Sequence, residues 1–229
     1  WFLAMHPMTQ AKNNVSALEL KRHLGVRYKA AWLMKHKLLQ VMAEREDRRV
    51  LDGRVEIDDA YLGGERPGKP GRGSENKISF VVAVQTTEDG QPMLACMNRI
   101  AFTKDAVEAW ANKTLAASTH VISDGLNCFR AVAREVTSHT AIVVGSGRQA
   151  VQHPEFRRVN TVLSNLKTAI SGTYHAFKFA KYADRYLAEV QYRFNRRFNL
   201  KSILARLVRA TAHTRPSPEK MIRLAEVGG

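Results

Sequence analysis

The sequence predicts an α/β protein: a mixed sheet in the order β-β-β-α-β-α-β-α, preceded by a helix-turn-helix segment. Three observations carry this. Residues 54–100 hold short apolar or alternating runs separated by turn residues. Residues 103–145 switch back and forth between helical and strand spacing. Residues 16–42 carry two helical stripes on either side of a glycine. Strands that first follow one another and then alternate with helices build an antiparallel meander extended by right-handed parallel crossovers.

In SALELKRHLGVRYKAAWLMKHKLLQVM (16–42), Ser16 and Glu19 form an S-x-x-E capping box. Leu20 and Leu24 continue the apolar stripe, and Gly25 suits the position just past a helix end. A second helix starts near Arg27, with Ala31, Met34, Leu38 and Met42 as its inner face. It carries Arg27, Lys29, Lys35 and Lys37 outward, as a helix reading a nucleic-acid groove would. RVEIDDAYL (54–62) alternates, with Val55 and Ile57 on one face and Glu56 and Asp58 on the other. GGERPGKPGRGSENK (63–77) reads as an exposed loop inside a domain, opened by Gly63 and Gly64. ISFVVAVQT (78–86) is a buried strand, EDG (88–90) a turn and MLACMNRI (93–100) a third strand. Thr103 caps a helix over 103–116. HVISD (120–124) is a strand, GLNCFRAVAREV (125–136) a helix and TAIVVG (140–145) a strand. VNTVLSNLK (159–167) opens another helix, with Val159, Val162, Leu163 and Leu166 on one face and Asn160, Ser164 and Lys167 on another. Three further helical stretches cover 176–198, 201–212 and 217–226. The resulting division is a helix-turn-helix segment over 1–52, an α/β domain over 53–200 and a helical extension over 201–229.

Charge narrows the partner. The 229 residues hold 36 Lys and Arg against 21 Asp and Glu, a formal net charge of +15. Residues 1–50 carry 10 basic and 4 acidic side chains, residues 51–147 carry 10 and 12, and residues 148–209 carry 13 and 3. A near-neutral middle flanked by basic segments fits a polyanion, above all nucleic acid. No segment pairs a basic face with a large apolar one, and no apolar run approaches membrane-spanning length, which sets a membrane aside. Cys96 and Cys128 lie far apart without a CxxC pairing, against a zinc site or a disulfide framework and in keeping with buried thiols in a reducing cytoplasm. WFLAM is too short for a secretory leader, and a chain starting with Trp reads as a fragment with residues missing upstream.

The chemistry sits on three strand and helix ends. A right-handed crossover places the fourth strand beside the first, which brings Asp58 and Asp124 side by side. Two close carboxylates repel unless a cation lies between them, and carboxylate oxygens suit Mg²⁺ or Mn²⁺. A helix packed across the same edge supplies a third polar group, for which Asn160 is in place. Two ions so held serve phosphoryl transfer at a nucleic-acid backbone. Each residue has a plainer role open to it. Asp59 rivals Asp58, though it shares the inward face of Val55 and Ile57. Asp124 before Gly125 suits a helix cap, Asn160 an N-cap, and Glu155 in HPEF is an alternative third acid. In GTYH (172–175), Tyr174 reads as core and His175 as a DNA contact or an ordinary turn residue. Arg193, Asn195, Arg196 and Arg197, interleaved with Tyr192, Phe194 and Phe198, read as phosphate clamps or as a helix with an aromatic core face.

VEIDDAYLGG (55–64), HVISDGLNCF (120–129), VNTVLSNLKTAISGTYHAF (159–177) and KYADRYLAEVQYRFNRRF (181–198) together resemble a bacterial insertion-sequence transposase of the DDE superfamily. The likeness is to the ISXO-type group, whose third acidic position can be Asn and is followed by Lys. It extends over nearly the whole chain, including the helix-turn-helix at 16–42. The resemblance implies a ribonuclease H-like fold, with Asp58 and Asp124 as metal ligands, Asn160 as the third member and Lys167 on the DNA phosphate near the scissile bond. It implies two Mg²⁺ or Mn²⁺ ions, cleavage of element ends, and joining to target DNA by at least a dimer. The chain departs from the group in lacking the Cys-rich zinc ribbon common upstream. Two other functions remain open at this point: a DNA-binding remnant without catalysis, and a ribonuclease H-like nuclease.

Overall fold

The structure is a computed structural model that describes residues 1–62, 77–143, 153–174 and 179–224. His175, almost all of the 63–77 loop and the end of the strand expected over 140–145 lie outside the described residues. By its contacts the chain divides into two compact units, Arg48–Asn165 and Trp1–Asp47 with Leu166–Gly229.

The first unit is built on a five-stranded sheet. Its strands are β1 (Arg54–Leu62), β2 (Ile78–Thr86), β3 (Pro92–Arg99), β4 (His120–Ser123) and β5 (Ser138–Ala141). They lie in the spatial order β3-β2-β1-β4-β5, so β1 is central. The run Phe80–Val84 is buried throughout, as a strand covered on both faces must be. β1 pairs antiparallel with β2, and β2 with β3 across the Thr87–Gln91 turn. β4 pairs parallel with β1, and β5 parallel with β4. Between β3 and β4 runs α4 (Lys104–Thr114), with Thr103 at its N-cap accepting from the amide of Ala106. Val55, Ile57, Val81 and Ala83 meet Val107 and Trp110 of α4 in one core. Cys96 and Cys128 are buried free thiols in that core.

Two expectations shift here. Residues 125–136 form a 3₁₀ helix over Asn127–Arg134 rather than an α-helix. Its buried residues pair at a spacing of three, Cys128 with Ala131 and Phe129 with Val132, which a three-residue turn stacks directly. The last strand starts at Ser138 and ends at Ala141, two residues ahead of the expected position, along the partly exposed edge of the sheet.

The second unit is helical. It holds α1 (Phe2–Gln10), α2 (Ala17–Leu24) and α3 (Tyr28–Glu46). α5 (Arg157–Ser171) enters it at Leu166, and α6 (Phe179–Phe194), α7 (Leu200–Ala212) and α8 (Glu219–Arg223) follow. Ser16 caps α2 by accepting from the amide of Glu19, and Gly25 ends it at φ 64°, a left-handed turn that glycine adopts without strain. The helices read from the sequence as separate N- and C-terminal pieces share one core. The eight-residue α2 cannot cover the stripe of α3 alone, so Tyr186 and Tyr192 of α6 and Ile203 and Leu207 of α7 close over it.

Lys35 corrects its sequence reading. It does not face outward but is 1% exposed, because a step of four from Ala31 and of three to Leu38 puts it on the inner stripe. Its ammonium lies 3.6 Å from Glu189 and donates to the carbonyl of Val15 and the hydroxyl of Tyr174.

His36 beside it is also buried, against the rings of Trp32 and Tyr182, and its Nδ1 has no hydrogen-bond partner among the described residues. Burial, followed by the nearby cations Arg185, Lys35 and Arg223, pushes its pKa from 6.5 to about 3. Between those values the unfolded chain binds a proton that the folded chain refuses. Stability therefore falls as pH drops through this window, by up to about 1.4 kcal/mol per pH unit. Thermal melts of wild type and His36→Phe across the window check this: the wild-type midpoint should fall more steeply with acid, and equal slopes would refute the assignment.

Candidate functional site

The site begins with register. β1 and β4 run parallel with Ile57 opposite Ser123, so the next residue along each is an aspartate, Asp58 on β1 and Asp124 just past the end of β4. β4 ends at Ser123, so among the described residues no strand pairs with β1 on that side from Asp58 onward. One ligand atom from each of Asp58, Asp59 and Asp124 lies within 4.8 Å of the other two. All three side chains are half-buried. Asp59 thus joins the cluster, although strand alternation turns it toward the face of Val55 and Ile57.

Local hydrogen bonds hold the acids in place. Asp58 Oδ1 accepts from the amide of Asp59 at 2.9 Å, and Asp124 Oδ1 from the amide of Leu126 at 3.1 Å. Gly125 takes φ 79°, and a Cβ there would meet Val143 Cγ2 at 2.9 Å, so only glycine lets the chain turn away directly after Asp124. Behind Asp124, the buried Ser123 hydroxyl lies 2.8 Å from His139 Nε2, and burial pushes His139 below its ordinary pKa.

Asn160 stands in the first turn of α5, half-buried. The residue that ties this turn to the sheet escaped the sequence reading: Glu56. It lies on β1 two positions before Asp58 and on the same face, and is 1% exposed. Its Oε2 accepts from the amides of Arg158 and Val159, each at 2.9 Å. Arg54 Nη1 bonds Glu56 Oε1 at 2.8 Å, and Arg54 Nη2 bonds Glu155 Oε2 at 2.6 Å. Glu155, the alternative third acid, is therefore engaged with Arg54, and it is not in the Asp58–Asp59–Asp124 group. The sequence signal for Glu56 is an acid between the apolar Val55 and Ile57 near the start of a strand, with an arginine two residues away.

The remaining residues read from the sequence fall in several places. Lys167 is exposed on α5, seven residues beyond Asn160, as is Ser164 between them. Arg27, the N-cap residue of α3, and Lys29 are exposed, and Lys29 Nζ lies 3.2 Å from Glu219. Arg193 donates to the carbonyls of Ala11 and Lys12 and to Asn14 Oδ1. Arg196 Nη1 bonds the buried Glu46 at 2.5 Å and lies over the ring of Tyr192. Those two guanidinium groups brace the helical unit from within and are not directed outward as phosphate clamps. Arg197 stacks between Phe194 and Phe198.

A central β1 flanked by antiparallel β2 and parallel β4, with acids where β1 and β4 meet, is the ribonuclease H-like arrangement seen in transposase domains. Residues 50–195 match the family model of the ISXO2-like transposase domain, and the chain belongs to this family of insertion-sequence transposases in the DDE superfamily. No curated protein matches it. No helix among the described residues is long and apolar enough to cross a membrane.

Proposed function

We propose that the protein cleaves the ends of a mobile DNA element and joins them to target DNA by metal-dependent phosphoryl transfer. The observation that carries this is the meeting of Asp58 and Asp59 on β1 with Asp124 at the end of the adjacent parallel β4, in a transposase-family fold. Three half-buried carboxylates this close repel one another, and hard oxygen donors fit Mg²⁺ or Mn²⁺. Asp58 and Asp124 would hold the ions, with Asn160 offering an amide oxygen of lower charge. When bound, the two ions supply Lewis-acid stabilisation to the attacking and leaving oxygens of an in-line displacement at phosphorus.

The chain's own residues do the rest. Asp58 and Asp124 fix where the reacting phosphodiester sits, Lys167 holds a neighbouring phosphate, and Arg27 and Lys29 at the start of α3 grip the DNA backbone as part of a helix-turn-helix. The test is cleavage of a terminal-repeat duplex in Mg²⁺ or Mn²⁺, followed by strand transfer from a pre-cleaved 3′-hydroxyl end. Binding without cutting in either ion would make the protein a DNA-binding remnant, and cutting without strand transfer would make it a hydrolase.

The charge adds a second expectation. If about six to ten phosphates are covered, affinity falls by roughly 10³–10⁵ between about 50 and 200 mM salt. Filter binding or anisotropy across that range checks it, and a flat response rejects DNA as the main ligand.

A further inference from the structure

We propose that Glu56 is the positioning residue that sets where Asn160 stands relative to Asp58; the inference rests on the metal-dependent reading above. A carboxylate that is 1% exposed is costly unless it is fully bonded. Glu56 is bonded on both oxygens, with Oε2 taking two helix amides and Oε1 taking the guanidinium of Arg54. The two amides belong to Arg158 and Val159, and Asn160 is the next residue. Asp58 is two residues from Glu56 on the same strand and face. One side chain thus joins the backbone that carries the third polar group to the backbone that carries the first acid.

The contact is directional and tight. An anion at a helix N-terminus meets amides that have no partner inside the helix, and charge-assisted bonds of this kind resist sliding. A second strut runs beside it, from Arg54 to Glu155 just ahead of the helix. Arg54 also offsets the charge of Glu56, so the carboxylate can sit near the aspartates without adding its full repulsion to theirs. Misplacing a reacting group by about 1 Å can cost about 10²-fold in rate. The start of α5 is where such a shift would reach Asn160 first.

The test uses the full chain with Glu56→Gln, Asn160→Ala and both together. Glutamine keeps the shape but turns a donor toward either Arg54 or the helix amides. Mn²⁺ affinity is read from the electron paramagnetic resonance of the free ion, and single-turnover cleavage and DNA affinity are measured alongside. Glu56→Gln should weaken Mn²⁺ binding and slow cleavage by about 10–100-fold, as loss of a supporting partner does at other metal sites, with DNA affinity unchanged. Because Glu56 acts through Asn160, adding Asn160→Ala to Glu56→Gln should cost far less than Asn160→Ala costs alone. Losses that multiply, or a Glu56→Gln protein that binds Mn²⁺ and cuts like wild type, would overturn the proposal. Should Glu56→Gln fail to fold, Glu56→Asp carries the same comparison, since it keeps the charge and both acceptors one methylene short. Wild-type Mn²⁺ affinity and cleavage in that variant would equally overturn it. A wild type that never cuts sinks the function reading instead, and the Mn²⁺ titrations still decide the role of Glu56.

Discussion

Asp58→Asn and Asp124→Asn each cut cleavage and strand transfer by at least about 10³-fold, which corresponds to about 4 kcal/mol of lost transition-state stabilisation. Terminal-repeat DNA should bind as tightly as before, or more tightly, because a negative charge has gone. Asparagine is the informative replacement. Its oxygen can still accept from the amide of Asp59 or of Leu126, so the bond that orients each side chain survives. What disappears is the charge that a divalent ion requires. Thermal melts supply a reading independent of activity. Without metal, each variant should melt above wild type, since one of three mutually repelling carboxylates is neutral. Mn²⁺ should then raise the wild-type midpoint and leave the variants nearly unmoved. Asp59→Asn separates the two neighbouring acids: Asp59 shares the cluster, but Asp58 directly follows the Ile57–Ser123 pairing as Asp124 does, so the loss of Asp59 should cost less. A variant pair that cuts like wild type would remove the carboxylates from the chemistry altogether.

Much of this site was readable because its geometry follows from strand order. The meander and the parallel return of the fourth strand were enough to bring residues 58 and 124 together from positions 66 apart, and the register does so. Local signals also served: Ser16, Gly25 and Thr103 act where short-range hydrogen bonding puts them. Features that depend on distant backbone were not readable. Glu56 looks like a polar residue on a solvated face, and its partners are amides more than a hundred residues away. Asp59 was assigned by alternation alone, which does not foresee that β4 stops at Ser123, one residue short of Asp124. Lys35 was misread for another reason. Its spacing from Ala31 and Leu38 already placed it inside, but its charge suggested the surface, and only the presence of Glu189 on α6 reconciles the two.

That buried pair leads to the largest expected effect on stability: Lys35→Met should destabilise the fold by about 3–5 kcal/mol. Lys35 and Glu189 are 1% and 0% exposed at the side chain and 3.6 Å apart. Tyr174 donates to Glu189 Oε2 at 2.5 Å, while Glu189 Oε1 has no hydrogen-bond partner among the described residues. Burial pushes the Lys35 ammonium below the usual lysine range, and Glu189 opposes that shift without cancelling it. Removing the ammonium alone strands a carboxylate in an apolar helical core, with the Tyr174 hydroxyl as its hydrogen-bond donor and Arg193 as the nearby cation among the described residues. Methionine nearly fills the vacated volume, so the cost should come from the orphaned charge rather than from a cavity. Replacing the whole cluster, as Lys35→Met, Tyr174→Phe and Glu189→Leu together, should recover most of the loss. The carbonyl of Val15 would remain without its donor, at about 1–3 kcal/mol. Urea denaturation of the single and triple variants measures both figures. A triple variant no more stable than the single one would show that the cluster acts through packing instead. DNA binding gives the complementary reading. Lys35→Met should leave the salt dependence of affinity unchanged, whereas Arg27→Ala or Lys29→Ala, at exposed positions on the same helix, should each lower its slope by about 1. If Lys35→Met lowers the slope as well, the ammonium reaches the phosphates and the buried pairing with Glu189 is not its working state.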